Sequence, residues 1–141
     1  MSEKVPVQVS VWSQQRAKSG ERLTFRTQVA GTLYEKGEAI YVAYREGEDS
    51  GLGQTLTTLR IEGRHVTLIR QGETVMKQSL VKGEEQVGTY KTPHGTFDLV
   101  TRTSQLIVNI NAKGGRLEAL YNLRLAGDKS RMELKIDVKP L

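Results

Sequence analysis

The sequence predicts an all-β fold, an antiparallel meander closed into a β-barrel of about eight to ten strands, on three observations. Apolar residues recur at every second position in run after run, the period of a strand with one buried face. No window of about 11 residues carries helical spacing. The runs are divided mostly by short segments rich in Gly, Pro, Asn and Asp, which suit antiparallel neighbours and leave no room for parallel crossovers. Strands this regular present long unpaired edges unless the sheet closes, so closure is preferred to an open sandwich.

Taken in order, Val5, Val7, Val9 and Val11 alternate with Pro6, Gln8, Ser10 and Trp12. Pro6 cannot donate to a ladder, which places this start at an edge or leaves it unpaired. Trp12 falls on the polar side, as a cover for the outside of the barrel or an oligomer contact. Lys18-Ser19-Gly20 turns the chain into a long strand in which Leu23, Phe25, Thr27, Val29, Gly31 and Leu33 share one face. Gly31 is where a strand that must bend tolerates a missing side chain. After Glu35-Lys36-Gly37-Glu38 comes the stretch from Ala39 to Arg70, three runs split by a long polar loop and by a two-residue Gly63-Arg64 turn. Shorter runs follow from Glu73 to Leu80, Val87 to Thr92, Gly95 to Arg102 and Gln105 to Asn111, each bounded by turn residues. Phe97 is in phase with Leu99 and is expected in the core. Leu117 to Leu125 and Met132 to Val138 form a last hairpin about Gly127-Asp128-Lys129.

At 141 residues, 37% hydrophobic and 26% charged, the chain reads as one globular domain over residues 1–141. No apolar run approaches the ~18 residues of a membrane span, and the start lacks the apolar centre of a secretory signal. With no cysteine, disulfides, thiolate metal sites and thiol nucleophiles are excluded together, and a cytoplasmic setting is expected. The net charge of +5 is divided evenly: residues 1–70 carry ten basic and eight acidic side chains, residues 71–141 eleven and eight. No segment is a basic arm or stripe. The outward Arg22, Arg26, Lys135 and Lys139 have no aromatic neighbour in their own runs, so nucleic acid is not the expected partner.

Motifs for chemistry are few. Gly51-Leu52-Gly53 and Lys113-Gly114-Gly115 lack the lysine, serine and helix of a phosphate loop. His65 and His94 stand apart with no acidic companions, which argues against a metal. No elbow offers a nucleophile, so neither an enzyme nor a cofactor is expected. Parity is more informative. If Ile40 and Val42 face inward, so do Tyr44 and Glu46; Leu59 and Ile61 carry Thr57 inward, and Val66 and Leu68 carry Arg70. A buried carboxylate and guanidinium must pair with each other or with hydroxyls. Tyr44, Glu46, Thr57 and Arg70, with Tyr90, Thr92 and Tyr121, therefore either fix the polar end of a ligand in an apolar cup or close one end of the barrel with an ion pair.

Tyr44-Arg45-Glu46, Thr57-Thr58-Leu59-Arg60-Ile61, Arg70-Gln71-Gly72, Tyr90-Lys91-Thr92 with Gly95, and Tyr121-Asn122-Leu123, in this order and spacing, resemble the YwiB-like family of small bacterial proteins. The resemblance covers essentially the whole chain and implies a calycin-like barrel, related in shape to the lipocalins, in a bacterial cytoplasm. It implies no activity, and Met76-Lys77-Gln78 is more polar than that pattern. The favoured expectation is a non-enzymatic barrel holding one small, partly apolar, anionic molecule in its lumen with Arg70 as charge partner. The alternative is an interaction protein binding nucleic acid or a protein through its basic exterior. A hydrolase with Glu46 as general base comes last, because no matching acid, metal or oxyanion site accompanies it.

Overall fold

A computed structural model describes residues 4–46 and 54–141. The long polar loop expected after Glu46, with Gly51-Leu52-Gly53, lies largely outside the described residues. Ten strands make up the rest: β1 (Val5–Ala17), β2 (Arg22–Lys36), β3 (Ala39–Arg45), β4 (Thr55–Glu62), β5 (His65–Gly72), β6 (Val75–Val81), β7 (Glu85–Thr92), β8 (Gly95–Asn111), β9 (Gly114–Leu125) and β10 (Asp128–Pro140). Each pairs antiparallel with its sequence neighbours and β1 pairs with β10, so the meander closes into a barrel. β1 is therefore no edge. Pro6 lies opposite Thr32 on β2, and its carbonyl accepts a hydrogen bond from the Leu141 amide.

The alternation puts apolar side chains inside and charges outside, the reverse of a lipid-facing barrel. Val7, Val9, Leu33, Val42, Leu59, Val66, Leu80, Leu117, Ile136 and Val138 are sealed from solvent and belong to one continuous core cluster. Phe97 faces inward as expected but is only half-buried, because it stands near the start of β8, beside the rim. Gly31 lies opposite both Val7 and Tyr44, and a Cβ there would stand 2.7 Å from the Ala43 carbonyl oxygen and 3.2 Å from the Tyr44 Cβ. Glycine is required at this point because a side chain has no room.

Several strand ends shift by a few residues, with β6 beginning at Val75 rather than Glu73 and β7 at Glu85 rather than Val87, and two features differ in kind. Gly95 to Arg102 and Gln105 to Asn111 are not separate strands but one, β8, with a bulge: Thr103 pairs with Tyr121 and Gln105 with Leu120, leaving Ser104 as the extra residue. Its hydroxyl donates to the Leu120 carbonyl at 3.2 Å. The bulge shifts inward parity from Leu99, Thr101 and Thr103 to Leu106, Val108 and Ile110, which reads in sequence as a break. The last turn is Ala126-Gly127 rather than Gly127-Asp128-Lys129, since Leu125 already pairs with Asp128.

Weakest of the seams is β6 against β7, three register pairs from Val75 to Lys77. Beyond it β6 turns toward β8: Gln78 Nε2 donates to Thr101 Oγ1 at 2.9 Å and the Gly83 amide to the Thr103 carbonyl at 2.8 Å. At Gly88 the β7 backbone comes so near the Lys77 carbonyl that only hydrogen fits between them.

Candidate functional site

Register places the sequence-predicted polar residues on one inward row. Tyr44 on β3 is opposite Thr57 on β4, Thr57 opposite Arg70 on β5, Arg70 opposite Met76 on β6, and Met76 opposite Tyr90 on β7. Glu46 follows just past the end of β3, held by its backbone amide donating to the Thr55 carbonyl at 2.9 Å. The row exists because each strand keeps strict alternation up to its polar end, so the residue that ends an apolar run still points inward.

The Thr57 hydroxyl donates to Glu46 Oε2 at 2.6 Å, a short charge-assisted bond. Arg70 Nε stands 3.7 Å from the same oxygen, close enough for an ion pair and too far for a hydrogen bond. The Glu46 side chain is 3% exposed, the Arg70 side chain 21%. Arg70 Nη1 approaches the Met76 sulfur at 3.3 Å, a weak acceptor. Arg70 Nε is buried without a hydrogen-bond partner among the described residues.

Tyr44 and, from β9, Tyr121 both feel the Arg70 charge, and both are buried. Burial drives the Tyr44 pKa well above the ordinary tyrosine value, the Glu46 charge adds to the rise, and Arg70 opposes it. For Tyr121, burial again raises the pKa, against the Arg70 charge and a side-chain hydrogen bond with Gln78. Gln78 is 4% exposed and in phase with Met76 and Leu80. The polar Met76-Lys77-Gln78 step is thus an inward amide linking Thr101 and Tyr121 around one outward lysine.

Not every expected residue belongs. Thr92 serves the β7–β8 turn instead: its oxygen accepts from the His94 amide at 3.1 Å and its hydroxyl meets the Gly95 carbonyl at 3.5 Å. Tyr90 is half-buried at the rim, opposite Phe97, with Met76 between it and Arg70. Gln78, Thr101 and Met76 are additions; their inward parity in otherwise apolar runs was the signal for them. No group of three or more His, Asp or Glu among the described residues is placed to hold a metal ion. No described helix is long and apolar enough to cross a membrane.

The chain's relatives agree with this architecture. Residues 9–136 match the family described as domain of unknown function DUF1934. Over 112 residues the chain is 27% identical to the uncharacterized beta-barrel protein YwiB of Bacillus subtilis (strain 168), an overlap of 79% of this chain and 76% of that protein. The crystal structure of the ywiB protein from Bacillus subtilis shares the fold with a TM-score of 0.81 at 24% identity, over 95% of this chain and 92% of that one.

Proposed function

This chain belongs to the DUF1934 family, and from that premise we propose that it is a non-enzymatic binding barrel that takes one small, partly apolar, anionic molecule at its polar mouth. Arg70 carries the reading. A guanidinium has five N–H donors, and the partners of this one among the described residues are a thioether sulfur and a carboxylate at 3.7 Å. Buried donors without acceptors are costly, so an oxygen-rich head group entering beside Arg70 gains charge-assisted bonds of the fork geometry that arginine favours. The half-buried rings of Tyr90 and Phe97 continue the same row and suit an apolar body. The continuous core beneath Tyr44 and Met76 directs the ligand to the mouth rather than to the depth of the lumen.

Glu46 is the counter-charge while no ligand is bound, and it opposes an incoming anion. A cysteine-free chain suits a reducing, cytoplasmic setting. Native mass spectrometry of gently purified protein is expected to show an adduct that Arg70→Met removes while the variant stays folded by circular dichroism. A wild-type spectrum without any adduct, or an adduct that survives Arg70→Met, overturns the reading.

A further inference from the structure

Register also builds something on the outside of the barrel that no single segment contains. Arg102 on β8 stands opposite Asn122 on β9, Asn122 opposite Arg131 on β10, Arg131 opposite Arg16 on β1, and Arg16 opposite Arg22 on β2. The neighbouring row adds Arg124 opposite Lys129. All six cations are exposed. Four interstrand spacings of ~4.8 Å make the first row about 19 Å long. No single segment is a basic stripe; the charges are scattered along the chain and gathered by pairing.

Among the described residues none of the six makes an ion pair; the cations that do are Arg60, Arg70, Arg116 and Lys135. Among the described residues the Arg131 side chain has only the Asn122 Oδ1, at 3.3 Å. Like charges directly opposite one another destabilise a sheet, and Arg131 with Arg16 and Arg16 with Arg22 are two such pairs. A shallow depression of about 560 Å³ lies over the row from Arg102 to Arg16, with Glu85, opposite Arg102 on β7, the one carboxylate in its lining. Four residues back along β1, ~13 Å away at strand rise, Trp12 sits directly between Arg26 on β2 and Lys135 on β10, with Lys135 Nζ 5.1 Å from its ring centroid. The aromatic neighbour missing from the basic runs is supplied across the strands.

We propose that this outer face of β8, β9, β10, β1 and β2 binds the phosphodiester backbone of single-stranded nucleic acid. A polyanion relieves the repulsion along the row. Five of the six cations are arginines, whose planar fork matches phosphate oxygens. The convex sheet offers no helix or ribbon to enter a duplex groove, whereas Trp12 offers a ring on which an unpaired base stacks. This face is separate from the Arg70 mouth, and either proposal can fail without the other.

The test is fluorescence anisotropy with fluorescein-labelled oligouridylate and oligothymidylate, begun at low salt. Affinity is expected to fall linearly in a log–log plot against salt, with a slope of about 0.7 per phosphate neutralised. The double variant Arg16→Gln, Arg131→Gln is expected to lower that slope by about 1.4 and to melt no lower than wild type, since it removes facing like charges. Trp12→Ala is expected to weaken binding about five- to a hundred-fold with the slope unchanged. No binding of either oligomer at low salt, or a double variant that binds as wild type does, overturns the proposal. So does a duplex of equal length that binds as tightly, or phosphatidylserine vesicles that bind the protein as well as the oligomers do and lose it in the same double variant.

Discussion

Glu46 is almost sealed while Arg70 keeps a path to solvent, a difference that suits the tasks proposed for them. The carboxylate depends on Thr57 for its short hydrogen bond. Thr57→Val keeps the shape and removes the donor, so chemical denaturation is expected to show a loss of about 1.5–3 kcal/mol; a loss within error of zero contradicts the charge-assisted bond. Tyr44 and Tyr121 hold their protons above the ordinary pKa of about 10 because burial disfavours the phenolate. The unfolded chain therefore releases these protons first as the pH rises. Their contribution is whole below about pH 10 and is lost as pH climbs from there through the raised folded values. Melting temperatures followed into that range should fall, and Tyr44→Phe should flatten the fall; an identical alkaline limb in the variant counts against it. Much of this site was legible, because parity carried from Ile40 and Val42 turns Tyr44 and Glu46 inward and parity from Leu68 turns Arg70. Thr92 was not separable by that rule. It has the inward phase, but a turn two residues away claims its oxygen.

Strands reveal themselves by alternation, which located β1, β2, β9 and β10, although β1 runs on from Trp12 to Ala17 and β10 starts at Asp128 rather than Met132. Bulges do not, because one extra residue such as Ser104 reverses the phase and mimics a new element. Turn conformation is equally local and equally hidden. Ala126 sits at φ 52° with Gly127 at φ 85°, the left-handed pair of a two-residue hairpin turn, where Asn-Gly is preferred. Alanine pays for its Cβ in that region. Ala126→Asn is expected to stabilise the protein by about 0.5–1 kcal/mol, read from the thermal melt, and a lowered melting temperature contradicts the turn assignment. Gly31→Ala should act in the opposite sense. Its new methyl meets a carbonyl at 2.7 Å and the Tyr44 Cβ at 3.2 Å, an overpacking worth about 1–3 kcal/mol.

For the molecule as a whole, closure is the property that everything else inherits. The seam between β1 and β10 runs from Val7 opposite Pro140 to Ala17 opposite Ser130, longer than most hairpins of the meander and shorter only than β1–β2 and β8–β9. Native-state hydrogen exchange is expected to protect the β1 and β10 amides of this seam as well as those of β9; rapid exchange along it describes an open sheet. Hairpin register aligns Tyr44, Thr57, Arg70 and Met76 inside, and closure joins Arg102 and Arg131 to Arg16 and Arg22 outside. Only the Arg131–Arg16 pairing joins segments far apart in sequence, and it is the step that the outer row needs and that the sequence did not reveal. The inner one followed only from parity. The proposed binding role rests on the mouth, and the most direct measurement is a fluorescence titration with anilinonaphthalene sulfonate, an apolar ring system bearing one anionic group. Saturable binding by the wild type, tighter binding by Glu46→Gln and none by Arg70→Met is the expected result; equal affinity in all three proteins contradicts the account.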